Sequence, residues 1–256
     1  MNEKIFFKNS KGDRLCGILS DPDPEKKEFI MIMFHGNTSS KDSRKNLELE
    51  RLFNTKGIAS FRADFYAHGE SEGRYDELTI SECVDDILNA VRFIKKMGYK
   101  KIGLFGSSLG GIASIIAASR TDDLILLAVS CPVSDYAEII AIKFGKKGIE
   151  KWKKDGLINY KEKDGRKYFL KYSFFLDAQK NIVHDVADKI NIPVLIVHGD
   201  KDKTVPFEQS IKTASLIKNC KLEKIKGADH YFEKERDFNK MIILISGFVF
   251  SIYMND

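Results

Sequence analysis

The residues best placed to do chemistry are Gly106-Ser107-Ser108-Leu109-Gly110-Gly111. An apolar run, Lys101-Ile102-Gly103-Leu104-Phe105, precedes them, and a helical run from Leu109 to Ala118 follows. Strand, tight turn and helix form the setting that a G-x-S-x-G nucleophile elbow requires. A serine at the tip of so sharp a turn sits in strained backbone, with its hydroxyl clear of the sheet. The positions two before and two after it press on neighbouring backbone and must lack bulk. Gly106 and Gly110 meet that demand for Ser108, whereas Ser107 would need glycine where Phe105 and Leu109 stand. Ser108 is the expected nucleophile. The helix behind it aims free N–H groups and a positive dipole end at the site, which suits a developing oxyanion.

A serine hydroxyl is a poor nucleophile until a base takes its proton, and histidine is the side chain suited to that near neutrality. The histidine needs a carboxylate to hold its tautomer and stabilise the imidazolium. Elbow enzymes supply these in the order Ser, then Asp or Glu, then His. Of His35, His68, His184, His198 and His230, only His230 follows both the elbow and the acidic loop His198-Gly199-Asp200-Lys201-Asp202. Two acids compete there, Asp200 and Asp202, and Asp200 could instead cap loop backbone. Asp229 adjoins His230 too closely to orient it. The oxyanion hole needs two aimed N–H donors. Leu109, after the nucleophile, is one, and Asn37, in the loop after the third strand, is the other. With the base position filled, His35 reads as a loop-stabilising residue.

These groups need a scaffold that gathers them. Lys4–Lys8 and Leu15–Leu19 read as a hairpin, and Phe29–Phe34 (FIMIMF) as a strand buried on both faces. Ile80, Val84, Ile87, Leu88, Val91 and Ile94 keep helical spacing until Gly98. Strand-like runs at 58–61, 101–105, 124–129, 194–197 and 222–225 alternate with helical ones. Repeated β-α-β units imply an α/β chain with a mostly parallel, doubly wound sheet. Ligands of such sheets bind beyond the strands' carboxyl ends, where the polar stretches at 35–37, 64–73, 107–109, 198–202 and 227–231 all fall. Residues 132–184 break the rhythm: charged turns and helical pieces, dense in aromatics, read as an insertion over the sheet. Some of those rings should face a substrate, with Trp152, Phe174 and Phe175 the expected contacts.

Composition narrows the rest. The 256 residues, 43% of them hydrophobic, can bury a substantial core, so disorder is not expected. A net charge of +5 is too modest to point to nucleic acid. Lys143, Lys146, Lys147, Lys151, Lys153 and Lys154 read as a solvated helical face. Four scattered cysteines show no metal-ligand spacing and fit reduced thiols in the cytoplasm. Residues 1–10 lack the apolar stretch of a signal peptide, and 241–254 is too short an apolar run to span a bilayer and reads as a buried last helix. No metal or organic cofactor is expected, and the sequence carries nothing on oligomeric state.

Five ordered motifs together resemble the α/β-hydrolase superfamily over almost the whole chain. They are His35-Gly36, Asp64…His68-Gly69-Glu70-Ser71-Glu72-Gly73, Gly106 to Gly111, His198-Gly199-Asp200-Lys201-Asp202-Lys203-Thr204-Val205-Pro206, and Gly227-Ala228-Asp229-His230. The resemblance implies a single α/β-hydrolase domain over 1–256, with 132–184 as a lid after the sixth strand. It selects Asp202, four residues before Pro206, as the acid. Within the superfamily the chain is similar to small cinnamoyl/feruloyl esterases and monoacylglycerol lipase-type hydrolases. That implies a cofactor-free serine esterase acting on small acyl or aromatic esters. Amides, peptides and thioesters remain open for the same triad, as does a binding protein without turnover.

Overall fold

Short polar turns and long apolar runs lay out the chain as expected, in a computed structural model that describes residues 2–161 and 167–255. Strands β1 (Asn2–Lys8) and β2 (Arg14–Ser20) pair antiparallel. The alternation then runs β3 (Phe29–Phe34), α1 (Arg44–Asn54), β4 (Ala59–Ala63), α2 (Ile80–Lys96), β5 (Lys101–Ser107), α3 (Leu109–Ala118) and β6 (Leu124–Ser130). The insertion contributes α4 (Tyr136–Asp155), β7 (Leu157–Lys161), β8 (Lys167–Lys171) and α5 (Ser173–Ala178). Its residues 162–166 lie outside the described set. The chain closes with β9 (Val194–Gly199), α6 (Phe207–Leu216), β10 (Cys220–Ile225) and α7 (Glu235–Asn255).

Eight strands form one sheet in the order β1-β2-β4-β3-β5-β6-β9-β10. Only the β1–β2 and β2–β4 pairs are antiparallel; the other five are parallel. This is the α/β-hydrolase fold. Strand β3 shows why its sequence has no polar residue. Ile30, Ile32 and Phe34 enter the core layer under α2 and α3, while Phe29, Met31 and Met33 enter the layer under α1 and α7. Successive strand side chains point to opposite faces, so a strand sandwiched between helices is apolar throughout.

Two elements differ from expectation. The insertion contains an antiparallel hairpin, β7–β8, where helical pieces and turns were expected. Gly156, in the left-handed region at φ +72°, ends α4 and lets the chain reverse into it. Helix α7 is 21 residues, not the short segment expected, and is long and apolar enough to cross a membrane. Its one-sided packing sets it in the core layer instead: Met241, Ile242, Ile245 and Val249 are buried, while Ile243 is 66% exposed.

Candidate active site

Strand β5 ends at Ser107, α3 begins at Leu109, and Ser108 between them carries φ +54° and ψ −110°. A non-glycine residue in that region is strained, and the surroundings must hold it there. They leave no room for a side chain on either flanking glycine. A Cβ on Gly106 would lie 2.2 Å from the Gly110 carbonyl oxygen, and one on Gly110 would lie 2.5 Å from that of His35. The bulk argument that selects Ser108 over Ser107 therefore has a direct steric basis.

His230 stands between Ser108, the expected nucleophile, and Asp202, the expected acid. Its Nε2 lies 3.0 Å from Ser108 Oγ, and its Nδ1 lies 2.5 Å from Asp202 Oδ2. The loop after β9 positions Asp202, whose Oδ1 accepts the Thr204 and Val205 N–H groups, each at 2.8 Å. Oδ2 also receives His198 Nε2 at 3.0 Å. Burial alone would raise the Asp202 pKa. Hydrogen bonds from His198 and His230, the nearby His230 charge and the Val205 N–H outweigh it and hold the carboxyl far below its usual range. Asp200 turns elsewhere: its Oδ1 accepts the Gly227 N–H at 2.6 Å, tying the loop after β9 to the one after β10. Asp229 accepts the Tyr231 N–H at 2.8 Å.

His230 is only 6% exposed, and burial lowers its pKa; the Asp202 hydrogen bond and charge oppose this, while Lys45 and His198 lower it further. A neutral imidazole facing a serine hydroxyl can accept its proton. Leu109 takes the first position of α3, where the N–H has no intrahelical partner. Asn37 lies in the loop after β3, and that loop passes close enough for a Cβ on Gly36 to fall 3.3 Å from Ser108 Cβ. The Tyr75 hydroxyl donates to Asn37 Oδ1 at 2.7 Å. Buried His35 braces this loop: its Nδ1–H donates to the Gly36 carbonyl at 2.7 Å, and its Nε2 accepts the Phe65 N–H at 3.2 Å.

Ser108, His230 and Asn37 open on a cavity of about 750 Å³, within the size range of small-molecule sites. The insertion supplies an apolar wall that includes Ile140, Phe144, Trp152, Leu170 and Phe174. Trp152 is fixed by its Nε1–H, which donates to the Leu170 carbonyl at 3.0 Å. Phe175 corrects the sequence reading, since it is not among the lining residues and packs behind Trp152 with ring centroids 6.3 Å apart. Adjacent residues on a helix point about 100° apart, and on α5 that turn leaves Phe174 on the cavity and Phe175 against Trp152 and Tyr172.

Cys131, His198 and Asp202 form a cluster of possible metal ligands, as do Glu82, Asp85 and Asp86. In the first, both His198 nitrogens are engaged, by Ser210 and Asp202, and burial pushes the Cys131 thiol up to about 12. A protonated thiol is not the form that ligates. Sequence reasoning missed one residue altogether. Lys45 on α1 lines the cavity, and its Nζ lies 3.0 Å from Ser107 Oγ and 5.1 Å from the Phe232 ring centroid. A helix-surface lysine carries no sequence signal that would single it out.

A profile of the prolyl oligopeptidase family matches residues 69–249, which is 181 of the 256 residues. The chain belongs to that family. It is 25% identical over 226 residues to the human mitochondrial palmitoyl-protein thioesterase ABHD10, covering 86% of this chain and 72% of that one. Est1E from Butyrivibrio proteoclasticus, solved with ferulic acid bound, superposes with a TM-score of 0.83 at 29% identity, over 96% of this chain and 98% of that chain. Mouse ABHD10 shares the fold with a TM-score of 0.81 at 22% identity, over 98% and 99% of the two chains.

Proposed function

We propose that the protein is a serine hydrolase that cleaves carboxylic esters through an acyl-enzyme, with Ser108, His230 and Asp202 as its triad. The observation that carries this reading is the bridging position of His230, 3.0 Å from Ser108 Oγ and 2.5 Å from Asp202 Oδ2. In the first half-reaction Ser108 Oγ attacks the ester carbonyl carbon while its proton passes to His230 Nε2. The Leu109 and Asn37 backbone N–H groups receive the developing oxyanion. Collapse breaks the bond to the leaving oxygen or sulfur, which takes the proton from His230. Water then attacks the acyl-Ser108 carbonyl, again losing its proton to His230, and the carboxylic acid leaves as Ser108 regains its hydrogen. Asp202 stays ionised throughout and holds Nδ1–H of the imidazole.

Residues 132–184 act as a lid within a single hydrolase domain, and Trp152 and Phe174 select the acyl group. Small acyl and aromatic esters are the favoured substrates, in keeping with the apolar wall and the ferulic acid bound by Est1E. A second reading, thioester cleavage, is supported by the relatives named as palmitoyl-protein thioesterases, which match 86% of this chain. Four free cysteines, Cys16, Cys83, Cys131 and Cys220, support a reducing compartment, which we take to be the cytoplasm. The test is a panel of p-nitrophenyl esters of rising chain length, beside methyl ferulate, an acyl thioester and an aminoacyl anilide. Ester turnover that vanishes in Ser108→Ala supports the proposal. Faster anilide cleavage would move the reading to amides, and no turnover on any member would leave a binding protein.

A further inference from the structure

The cavity wall is uneven in charge. Among the described residues that line it, Arg44, Lys45, Lys143 and Lys203 are basic and Glu233 is the one carboxylate. Arg44 is already engaged, by Glu235 across two hydrogen bonds of 2.6 and 2.5 Å and by the Phe238 ring at 3.8 Å. Lys45 also has a ring beside it, Phe232 at 5.1 Å, but it has no such carboxylate. Its Nζ donates to Ser107 Oγ at 3.0 Å and to Ser130 Oγ at 3.4 Å, both hydroxyls, and no carboxylate among the described residues comes within ion-pair distance. An ammonium has three N–H bonds. Two go to these hydroxyls, so a third donor remains on a side chain that lines the cavity beside the Phe232 ring.

A partly buried ammonium with no carboxylate in hydrogen-bond reach is stabilised when one arrives. Burial accordingly lowers the Lys45 pKa, partly offset by Cys131, Asp202 and Asp229. The position of Lys45 also says which part of a substrate would bring that anion. In acyl transfer the leaving oxygen or sulfur must receive its proton from His230, so the leaving group lies on the His230 side of the reacting carbon. The loop that carries His230 continues through Tyr231 to Phe232, and Lys45 Nζ stands 5.1 Å from the Phe232 ring centroid. The apolar residues of the insertion, by contrast, come from other elements and suit the acyl part.

We propose that Lys45 is a recognition site for a carboxylate carried by the leaving alcohol or thiol, so that the preferred substrates are acid-bearing esters or thioesters. This rests on the hydrolase reading above. A charge-assisted N–H···O⁻ bond in a partly buried site gives both affinity and orientation, and its benefit is restricted to substrates that carry the anion.

The experiment compares butyryl esters of para- and meta-hydroxybenzoate with those of the matching hydroxybenzamides, which keep the shape and remove the charge. In the wild-type enzyme the carboxylate ester of at least one isomer should show kcat/KM about 10-fold or more above its amide partner. Lys45→Met, which keeps the length of the side chain, should shrink that ratio by about 10-fold, and Lys45→Arg should restore part of it. A role confined to bracing Ser107 would lower both esters of a pair together and leave the ratio standing, which overturns the proposal. If Lys45→Met does not fold, inhibition of wild-type p-nitrophenyl butyrate hydrolysis decides. The free hydroxybenzoates should then inhibit at concentrations about 10-fold lower than the hydroxybenzamides, and equal or reversed potency overturns the proposal. Turnover of p-nitrophenyl butyrate without any carboxylate preference defeats this inference alone, whereas absence of turnover on every ester defeats the hydrolase reading beneath it.

Discussion

His198 donates its Nε2–H to Asp202 Oδ2 across 3.0 Å, so one carboxylate oxygen serves two imidazoles, His198 and His230. The other His198 nitrogen, Nδ1, accepts from the Ser210 hydroxyl at 2.7 Å. The Asp202 oxygens therefore receive four hydrogen bonds, two from imidazoles and two from backbone N–H groups. This fixes the direction in which the carboxylate faces His230. On the proposed mechanism His198 would act through Asp202 as a positioning residue. His198→Phe should lower kcat about 10-fold with little change in KM, and His198→Gln, which keeps an N–H donor, should recover part of that loss. A change in Tm alone, with kcat intact, would reduce His198 to a core residue.

Asp202 and Asp200 are two residues apart in sequence but bond to different loops, and substitution should separate them. Asp202→Asn should cost about 10⁴ in kcat, the magnitude seen when a triad aspartate loses its charge. Asp200→Asn loses the acceptor for the Gly227 N–H, so its main effect should be a lower Tm. Equal losses of kcat at equal Tm would contradict the assignment.

The pH profile should report the lowered pKa of His230. In the proposed mechanism neutral imidazole is the working form of His230. Burial outweighs the support from Asp202 and, with Lys45 and His198, sets the His230 pKa below the ordinary 6.5. As pH falls, kcat/KM should therefore persist through 6.5 and be lost only below it. Removing a cationic neighbour favours imidazolium, so Lys45→Met should move the acid limb to higher pH. An acid limb centred above 6.5 in the wild type would contradict the burial argument.

Phe174 and Phe175 test the role of the insertion side by side. Phe174 lines the cavity and meets Tyr136 edge-on, with centroids 5.2 Å apart. Phe175 lies behind Trp152 and against Tyr172. Phe174→Ala should change the preference between short and bulky acyl groups by about 10-fold. Phe175→Ala should cost about 3–5 kcal/mol of stability and lower activity on all esters alike. A uniform loss in both variants would make the insertion a structural cover with no part in selection.

Much of this was legible in the residues before any coordinates. Gly106 and Gly110 state the crowding around Ser108, because only glycine survives where a Cβ would meet backbone within 2.5 Å. The order of strand-end loops brought Ser108, Asp202 and His230 to one edge of the sheet, since topology alone gathers the carboxyl ends of parallel strands. What remained hidden depends on contacts between distant segments. Phe174 and Phe175 are chemically identical, and only the rotation of α5 against Trp152 separates them. Lys45 looks like any lysine on a helix surface until α1 sets it beside Ser107. The β7–β8 hairpin was obscured because its polar and aromatic residues pair across the strands, as at Asn159–Phe169, and their spacing within each strand carries little signal. Helix α7 looked shorter in sequence because its first turn, beginning at Glu235 and including Asp237, is charged and lies ahead of the apolar run.

The most direct test of the central claim is to titrate the protein with a fluorophosphonate and locate the adduct by peptide mass spectrometry. The account requires one adduct per chain, on Ser108, absent from Ser108→Ala and retained in Ser107→Ala. An adduct on Ser107, or a folded protein that takes no label at all, would contradict it.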